Sequence, residues 1–231
     1  MSWESSAVYY RLINQAVRAR LGGLHSADIL MRSFDFDAVV QLQKAGRWDA
    51  AAMMLADGGA GLALAGADCV LICTNTMHLV AEPVAKGAGV PLIDIIAETG
   101  TAIKAAGCHW PLLLATRYTM EQGFYTKRMQ ASAGITPMVP DEADRSTVHS
   151  IIFDELCQGI VKPSSRAELM GIIDRGIAAG ADSVILGCTE ICLLLDPDKL
   201  PCPGFDSTTI HAQAAVDFAL GVTAAEVRIA A

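Results

Sequence analysis

Residues 65–76 read Ala65-Gly-Ala-Asp-Cys-Val-Leu-Ile-Cys-Thr-Asn-Thr76, and residues 179–190 read Ala179-Gly-Ala-Asp-Ser-Val-Ile-Leu-Gly-Cys-Thr-Glu190. Each passes from an Ala-Gly-Ala-Asp turn through a short apolar run into a Cys-Thr pair. Glycine past the end of a helix accepts the left-handed backbone that stops it, and an apolar run bounded by turn residues marks a strand buried on both faces. The second copy has one extra residue before its cysteine. Alanine-rich helix-to-strand turns recur across α/β proteins, so the echo also has a plain explanation. Two related α/β halves account for the shared Cys-Thr as well. Each pair would then stand at the C-terminal end of a parallel strand, where open parallel sheets bind ligands.

The flanking sequence extends this pattern. Tyr9, Leu12, Ile13, Ala16, Val17 and Leu21 recur at helical spacing, with serine ahead and Gly22-Gly23 behind, which predicts a helix over 5–21. Residues 27–34 read as a strand. Residues 49–64 read as a helix, although Gly58, Gly59 and Gly61 each cost up to about 1 kcal/mol relative to alanine. Strands are predicted at 69–73, 91–95, 111–115 and 183–187. Helices are predicted at 76–86, 97–106, 120–131, 147–159 and 208–220, and another over 165–179 behind a Ser165-x-x-Glu168 capping box. Strands alternate with helices throughout, the signature of an α/β fold with mostly parallel sheets. The expected organisation is two pseudo-symmetric parallel-sheet α/β domains with the active site in the cleft between them. Residues 1–95 plus 207–231 form the N-terminal half, and 96–206 the C-terminal half.

Composition narrows the function classes. Of 231 residues, 52% are hydrophobic and 18% charged, the reverse of a disordered chain. Lys+Arg 17 against Asp+Glu 25 gives a charge of -8 with no basic run, so nucleic acid is not an expected partner. No apolar stretch reaches membrane-spanning length, and the first residues lack the regions of a signal peptide. Seven cysteines, an odd number at irregular spacing, do not suit a disulfide framework. Free thiols in a reducing cytoplasm are expected. No G-x-G-x-x-G, G-x-x-x-x-G-K-[ST] or G-x-S-x-G motif occurs.

Cys73 and Cys188 carry the candidate chemistry. A thiol at a strand end, beside backbone N–H groups and the positive end of a helix, is expected to ionise below the usual value of about 8.5. Two such thiols facing each other suit the transfer of a proton from one face of a carbon to the other. One takes the α-proton while the other delivers one, and no cofactor is required. Hydrogen-bond donors on the substrate carboxylate would stabilise the developing charge.

Other readings stand beside this one. A buried cysteine is commonly a small apolar filler, and Cys69, Cys108, Cys157, Cys192 and Cys202 are read so. Cys69/Cys73 and Cys188/Cys192 share a Cys-x3-Cys spacing near His78 that zinc accepts, but a strand between Cys69 and Cys73 would separate them by about 13 Å. His78 and His211 each follow a Thr-rich strand end, near the cleft or as satisfied structural histidines.

At these residues the chain resembles the aspartate/glutamate racemase family, in its broad-specificity amino-acid racemase branch. The matching segments are Met1-Ser-Trp-Glu-Ser5, Tyr9-Tyr-Arg-Leu-Ile-Asn14, Gly22-Gly-Leu-His-Ser26, Cys73-Thr-Asn-Thr-Met-His78, Thr116-Arg-Tyr-Thr-Met-Glu121 and Gly187-Cys-Thr-Glu-Ile191. Phe205-Asp206 and Ile210-His211-Ala212 complete the set. The resemblance implies a cofactor-independent (PLP-independent) two-base racemase acting on a free amino acid, built as a homodimer. It makes Cys73 and Cys188 the proton donor and acceptor. It also implies that Thr74, Asn75 and Thr76 cradle the substrate carboxylate and that Gln43, in the stretch Phe36 to Trp48, contacts substrate. Thr116, Thr119 and Thr189 would line the cleft, and Glu190 would orient a thiol. Family members carry a short apolar strand and a Gly-Gly turn ahead of the Met-Ser-Trp-Glu-Ser segment, with which this chain begins. The first half is therefore expected to lack its first strand and to show open pairing groups and apolar surface. A hydantoin racemase or maleate isomerase of the same superfamily, and an inactive ligand-binding homologue, are the alternatives.

Overall fold

A computed structural model describes residues 2–221 of the chain. Met1 of the first matching segment and residues 222–231 of the expected N-terminal half lie outside the described residues. In order the elements are α1 (Trp3–Leu21), α2 (Phe36–Lys44), α3 (Trp48–Leu64), β1 (Val70–Leu71), α4 (Ala81–Ala88), β2 (Leu92–Ile93), α5 (Ile95–Ala105) and β3 (Pro111–Leu114). There follow α6 (Arg117–Glu121), α7 (Phe124–Ala133), α8 (Glu142–Ser150), α9 (Pro163–Ala178), β4 (Ser183–Leu186), β5 (Gly204–Asp206) and α10 (Ser207–Ala219). Helices separate every pair of successive strands except β4 and β5, and all the strand pairs are parallel, in two small sheets. No helix among the described residues is long and apolar enough to cross a membrane.

The chain divides into two compact units. The first takes Met1–Cys73, Val80–Asp94 and His211–Ala231, within the limits of the described residues, and the second Thr74–Leu79 and Ile95–Ile210. In the first unit the Ser2 hydroxyl caps α1 by accepting from the Ser5 N–H, and Gly22, at φ 74°, ends the helix. The glycines of α3 cost helix propensity but permit close packing on α4. A Cβ on Gly59 would lie 3.1 Å from the Ala88 Cβ, and one on Gly87 only 2.8 Å from the Ala56 Cβ. β1 pairs with β2 through Val70 with Leu92 and Leu71 with Ile93. Its other edge has no strand partner among the described residues. An apolar groove of about 150 Å³ runs beside it, lined by Tyr9, Ile13, Ile29, Leu55, Leu62 and Leu71. The open pairing edge and apolar surface expected of this half are present.

In the second unit β4 is the central strand, with β3 and β5 on either side. Every residue of β3 and β4 is buried, as expected of the apolar runs Leu112–Leu114 and Val184–Leu186; the buried Ser183 that opens β4 places its hydroxyl on Asp182. Ile96 and Ile103 of α5, Met129 of α7 and Leu169 and Ile173 of α9 belong to the core around this sheet. α9 lies directly on β3: a Cβ on Gly176 would meet the Leu112 Cδ2 at 2.5 Å.

The repeated turns share one geometry. Gly66 and Gly180 both adopt φ 104°. The Ala67 N–H reaches the Leu62 carbonyl, five residues back, and the Ala181 N–H reaches Gly176 in the same way. Each is a Schellman closure that ends a helix and turns the chain into a strand.

Five sequence expectations change. The helix expected over 76–86 opens as a 3-10 turn over Thr76–Val80 before α4, and the one expected over 120–131 is divided into α6 and α7 at Gly123, φ 71°. Residues 27–34 form no strand. The Ala27 N–H is taken by Asn14 Oδ1 at 2.9 Å, and the Arg32 guanidinium lies over the Phe34 ring. Ser165 does not start a capping box. α9 begins at Pro163, and the Ser165 hydroxyl donates instead to Glu155. The helix expected over 147–159 begins earlier, as α8, and then widens into a π turn over Ile151–Glu155 before a 3-10 turn over Leu156–Gln158. α2, capped by Asp35, and β5 are further elements outside the expected set.

Candidate active site

Each Cys-Thr pair follows the last residues of a buried strand. In the first unit, Cys73 is half-buried just beyond β1, and its carbonyl accepts the Ser5 hydroxyl of α1 at 3.1 Å. In the second, half-buried Cys188 follows β4 and opens a 3-10 turn over Thr189–Leu193, with half-buried Thr189 its first residue. The Cys188 Sγ donates to Glu190 Oε2 at 3.0 Å, and Glu190 is itself buried.

The segment after Cys73 belongs to the second unit and is fixed at three points. His78, fully buried, accepts the Ile95 N–H at Nε2 (3.2 Å), so Nδ1 carries the proton and donates to the Thr74 carbonyl (2.8 Å). The Asn75 Nδ2 donates to Ser207 Oγ at 3.0 Å, and Ser207 donates to the Leu186 carbonyl at 3.0 Å. A carbonyl can only accept, so Ser207 must receive its bond from an amide N–H, which settles the orientation of Asn75. That chain ties the Thr-Asn-Thr segment to the end of β4, two residues before Cys188. It leaves the buried Asn75 Oδ1 with no hydrogen-bond partner among the described residues.

Thr76 Oγ1 lies 2.9 Å from Thr116 Oγ1 and 3.1 Å from Thr119 Oγ1, and those two are 3.2 Å apart. All three side chains are buried. The second unit thus gathers Thr76, Thr116 and Thr119 in one hydroxyl cluster, with Asn75 and Cys188 tied through Ser207 and β4. Gln43 is buried on α2 of the first unit.

The expectation of thiols poised to ionise is not met. Burial pushes the Cys73 thiol up to about 11. Burial, and then the Glu190 carboxylate, hold Cys188 well above the ordinary thiol value. Burial outweighs whatever the 3-10 turns that follow the cysteines contribute in the other direction. Both are thiols at neutral pH.

A family model described as Asp/Glu/Hydantoin racemase matches residues 1–215. The chain belongs to that family. Among solved structures it is similar to a putative Asp/Glu racemase from Yersinia pestis, with 47% identity, 95% of this chain and 96% of that one covered, and a TM-score of 0.88. An aspartate racemase homologue from Pyrococcus horikoshii OT3 is 28% identical over 94% of each chain, with a TM-score of 0.81. The aspartate racemase of Picrophilus torridus, 19% identical over 94% of this chain and 89% of that one, shares the fold at a TM-score of 0.68. Membership of a racemase family supports an isomerase activity.

Within this racemase-family site, the sequence reading missed residues that only the fold brings in. Ser207 and Ser5 bond groups far away in sequence, and no local motif marks either. His211 is structural: its Nε2 donates to the Ile93 carbonyl at 2.8 Å and its Nδ1 accepts the Tyr9 hydroxyl at 2.7 Å. His78, holding Thr74 in place, is structural as well.

Proposed function

We propose that the protein is a cofactor-independent amino-acid racemase in which Cys73 and Cys188 are the acid and base on opposite faces of the substrate α-carbon. The observation that carries this reading is the pair of strand-end cysteines, one in each unit, behind turns of the same geometry. One thiolate removes the α-proton while the other cysteine, as a thiol, delivers its proton to the opposite face. The roles exchange for the other enantiomer. Both thiols are held above the ordinary value, so the reactive form is the monoanionic pair, reached by loss of one proton to solvent.

The α-carbon of an amino acid is a weak acid, and charge develops on its carboxylate as the proton leaves. The hydroxyls of Thr76, Thr116 and Thr119 are the donors for that carboxylate. They bond one another in the free protein, and binding the carboxylate exchanges those bonds for bonds to it, with Thr74 and Thr189 as further contacts in this reading. Asn75 offers Oδ1, an acceptor, and its partner is the substrate α-ammonium. Gln43 contacts the substrate side chain. The names of the Yersinia and Pyrococcus relatives make aspartate and glutamate the first substrates to test.

The test is incubation of the protein with single enantiomers of aspartate, glutamate and a set of neutral amino acids in heavy water. Chiral chromatography and NMR would follow the products. The expected result is the opposite enantiomer carrying deuterium at Cα. A folded protein that neither inverts nor exchanges any of them overturns the reading.

A further inference from the structure

Asn75 uses one half of its side-chain amide on the protein and leaves the other half out. Nδ2 donates to Ser207 Oγ at 3.0 Å, while the buried Oδ1 has no hydrogen-bond partner among the described residues. A buried acceptor without a donor costs stability, and its retention in a racemase-family site points to a donor that arrives with the ligand. The backbone of the residue is held firmly. Its carbonyl accepts the His78 N–H at 3.0 Å, and the His78 carbonyl in turn accepts the Arg128 guanidinium at 2.6 Å.

Ser207 decides which end of the amide stays unpaired. β5 pairs with β4 so that Asp206 stands beside Leu186, and Ser207, the next residue, opens α10. The Asp206 carboxylate caps that helix by accepting the Thr208 N–H at 2.9 Å and the Thr209 hydroxyl at 2.5 Å, which fixes the turn that carries Ser207. The fully buried Ser207 hydroxyl has one proton, and it goes to the Leu186 carbonyl at 3.0 Å. Only a donor can then approach the Ser207 oxygen. A flipped Asn75 would bring Oδ1 against that oxygen, acceptor on acceptor, and would lose the bond.

We propose that Ser207 is a positioning residue that holds the Asn75 amide with Oδ1 toward the bound ligand, and that this orientation selects ligands with a donor on the α-carbon. The proposal rests on the reading of Asn75 as a substrate contact. An α-ammonium gives Oδ1 a charge-assisted hydrogen bond. A 2-oxo acid of the same length puts a second acceptor there, and a plain dicarboxylate puts nothing. Both leave the buried Oδ1 unpaired, which is how a site built around a hydrogen bond rejects analogues that lack it. Without the Ser207 oxygen the amide is free to turn. Nδ2 then meets an oxo group as readily as Oδ1 meets an ammonium, and the preference shrinks.

The experiment measures dissociation constants by calorimetry for L-glutamate against 2-oxoglutarate, L-alanine against pyruvate and L-aspartate against succinate. It compares the intact protein with Ser207→Ala, Ser207→Thr and the double variant Asn75→Asp/Ser207→Ala, each checked for folding by denaturant titration. Side-chain proton–nitrogen correlation spectra of the ligand-free proteins follow the Asn75 amide itself. The intact protein is expected to favour the amino acid of each pair it binds, and Ser207→Ala to cut that preference by about tenfold, the worth of one hydrogen bond. Ser207→Thr retains the hydroxyl and the preference. The double variant regains the preference, because both carboxylate oxygens are acceptors and no flip changes what the ligand meets. A role confined to stability would not show this. The Asn75 Nδ2 protons should exchange slowly with water in the intact protein and faster in Ser207→Ala. An unchanged preference in Ser207→Ala, or a double variant no more selective than Ser207→Ala, overturns the proposal. If the amide protons respond as expected but no amino acid binds or exchanges its α-proton, the racemase reading fails and the selectivity falls with it, while Ser207 remains the residue that orients Asn75.

Discussion

The Cys188 thiol donates to the Glu190 carboxylate two residues further along the chain, and that carboxylate is buried beside it. Burial, and then its own neighbour, hold this proposed base above the ordinary thiol value, and burial does the same for Cys73. Below a thiol's pKa the thiolate fraction grows tenfold per pH unit. The rate constant kcat/KM should therefore climb between pH 7 and pH 9 by up to tenfold per unit, in both directions. A profile already flat at pH 7 would mean that one thiol ionises far more easily than its surroundings allow.

The same shifts fix the sign of a stability effect. Cys73 titrates near 11 and Cys157 near 12 in the folded chain, against an ordinary value of 9.0. The folded state binds more protons than the unfolded state above pH 9, so stability falls as pH rises there. It is fully present below pH 9 and is lost progressively from 9 towards 11 and 12. Urea midpoints should be constant from pH 7 to 8.5 and drop by pH 10.5. Replacing Cys157 with serine should reduce that drop.

The hydroxyl cluster is both structure and proposed carboxylate subsite. Thr119→Val keeps the shape but removes one hydroxyl from the three that bond one another. A stability loss of about 1–3 kcal/mol is expected from the unsatisfied neighbours. If these hydroxyls bind substrate, KM should rise as well. Denaturant unfolding and steady-state kinetics separate the two, and a change in stability with unaltered kinetics would remove the cluster from the site.

Gly176 shows how closely α9 approaches the sheet. A methyl group there meets Leu112 Cδ2 at 2.5 Å, Cδ1 at 3.1 Å and Cγ at 3.2 Å, and Leu112 is 2% exposed, with no room to swing away. Gly176→Ala should cost about 1–3 kcal/mol by overpacking, despite alanine's better helix propensity. Pairing it with Leu112→Ala should recover part of the loss, which a denaturation series would show.

What the sequence made legible is what local chemistry alone decides. The Ala-Gly-Ala-Asp turns were readable because glycine is the residue that takes φ 104° without strain, and both turns use it so. β3 and β4 were readable because strands buried on both faces are built almost wholly of apolar residues, here Leu112–Leu114 and Val184–Leu186. Residues 27–34 have the composition of a strand, but a strand also needs a partner, and composition does not supply one. Ser165 has the spacing of a cap, yet its hydroxyl is claimed by Glu155, ten residues earlier. The thiols' reluctance to ionise depends on burial and on Glu190, neither of which strand-end placement reveals.

The measurement that tests the central claim most directly is α-proton exchange into heavy water for each enantiomer of a substrate, in the intact protein and in Cys73→Ser and Cys188→Ser. Serine retains the shape but is a far weaker base. The intact protein should exchange both enantiomers. Each variant should lose exchange of one enantiomer while keeping slow exchange of the other, and the enantiomer lost should differ between the two. If either variant still exchanges both enantiomers at the rate of the intact protein, that cysteine is not a base and the two-thiol account is wrong.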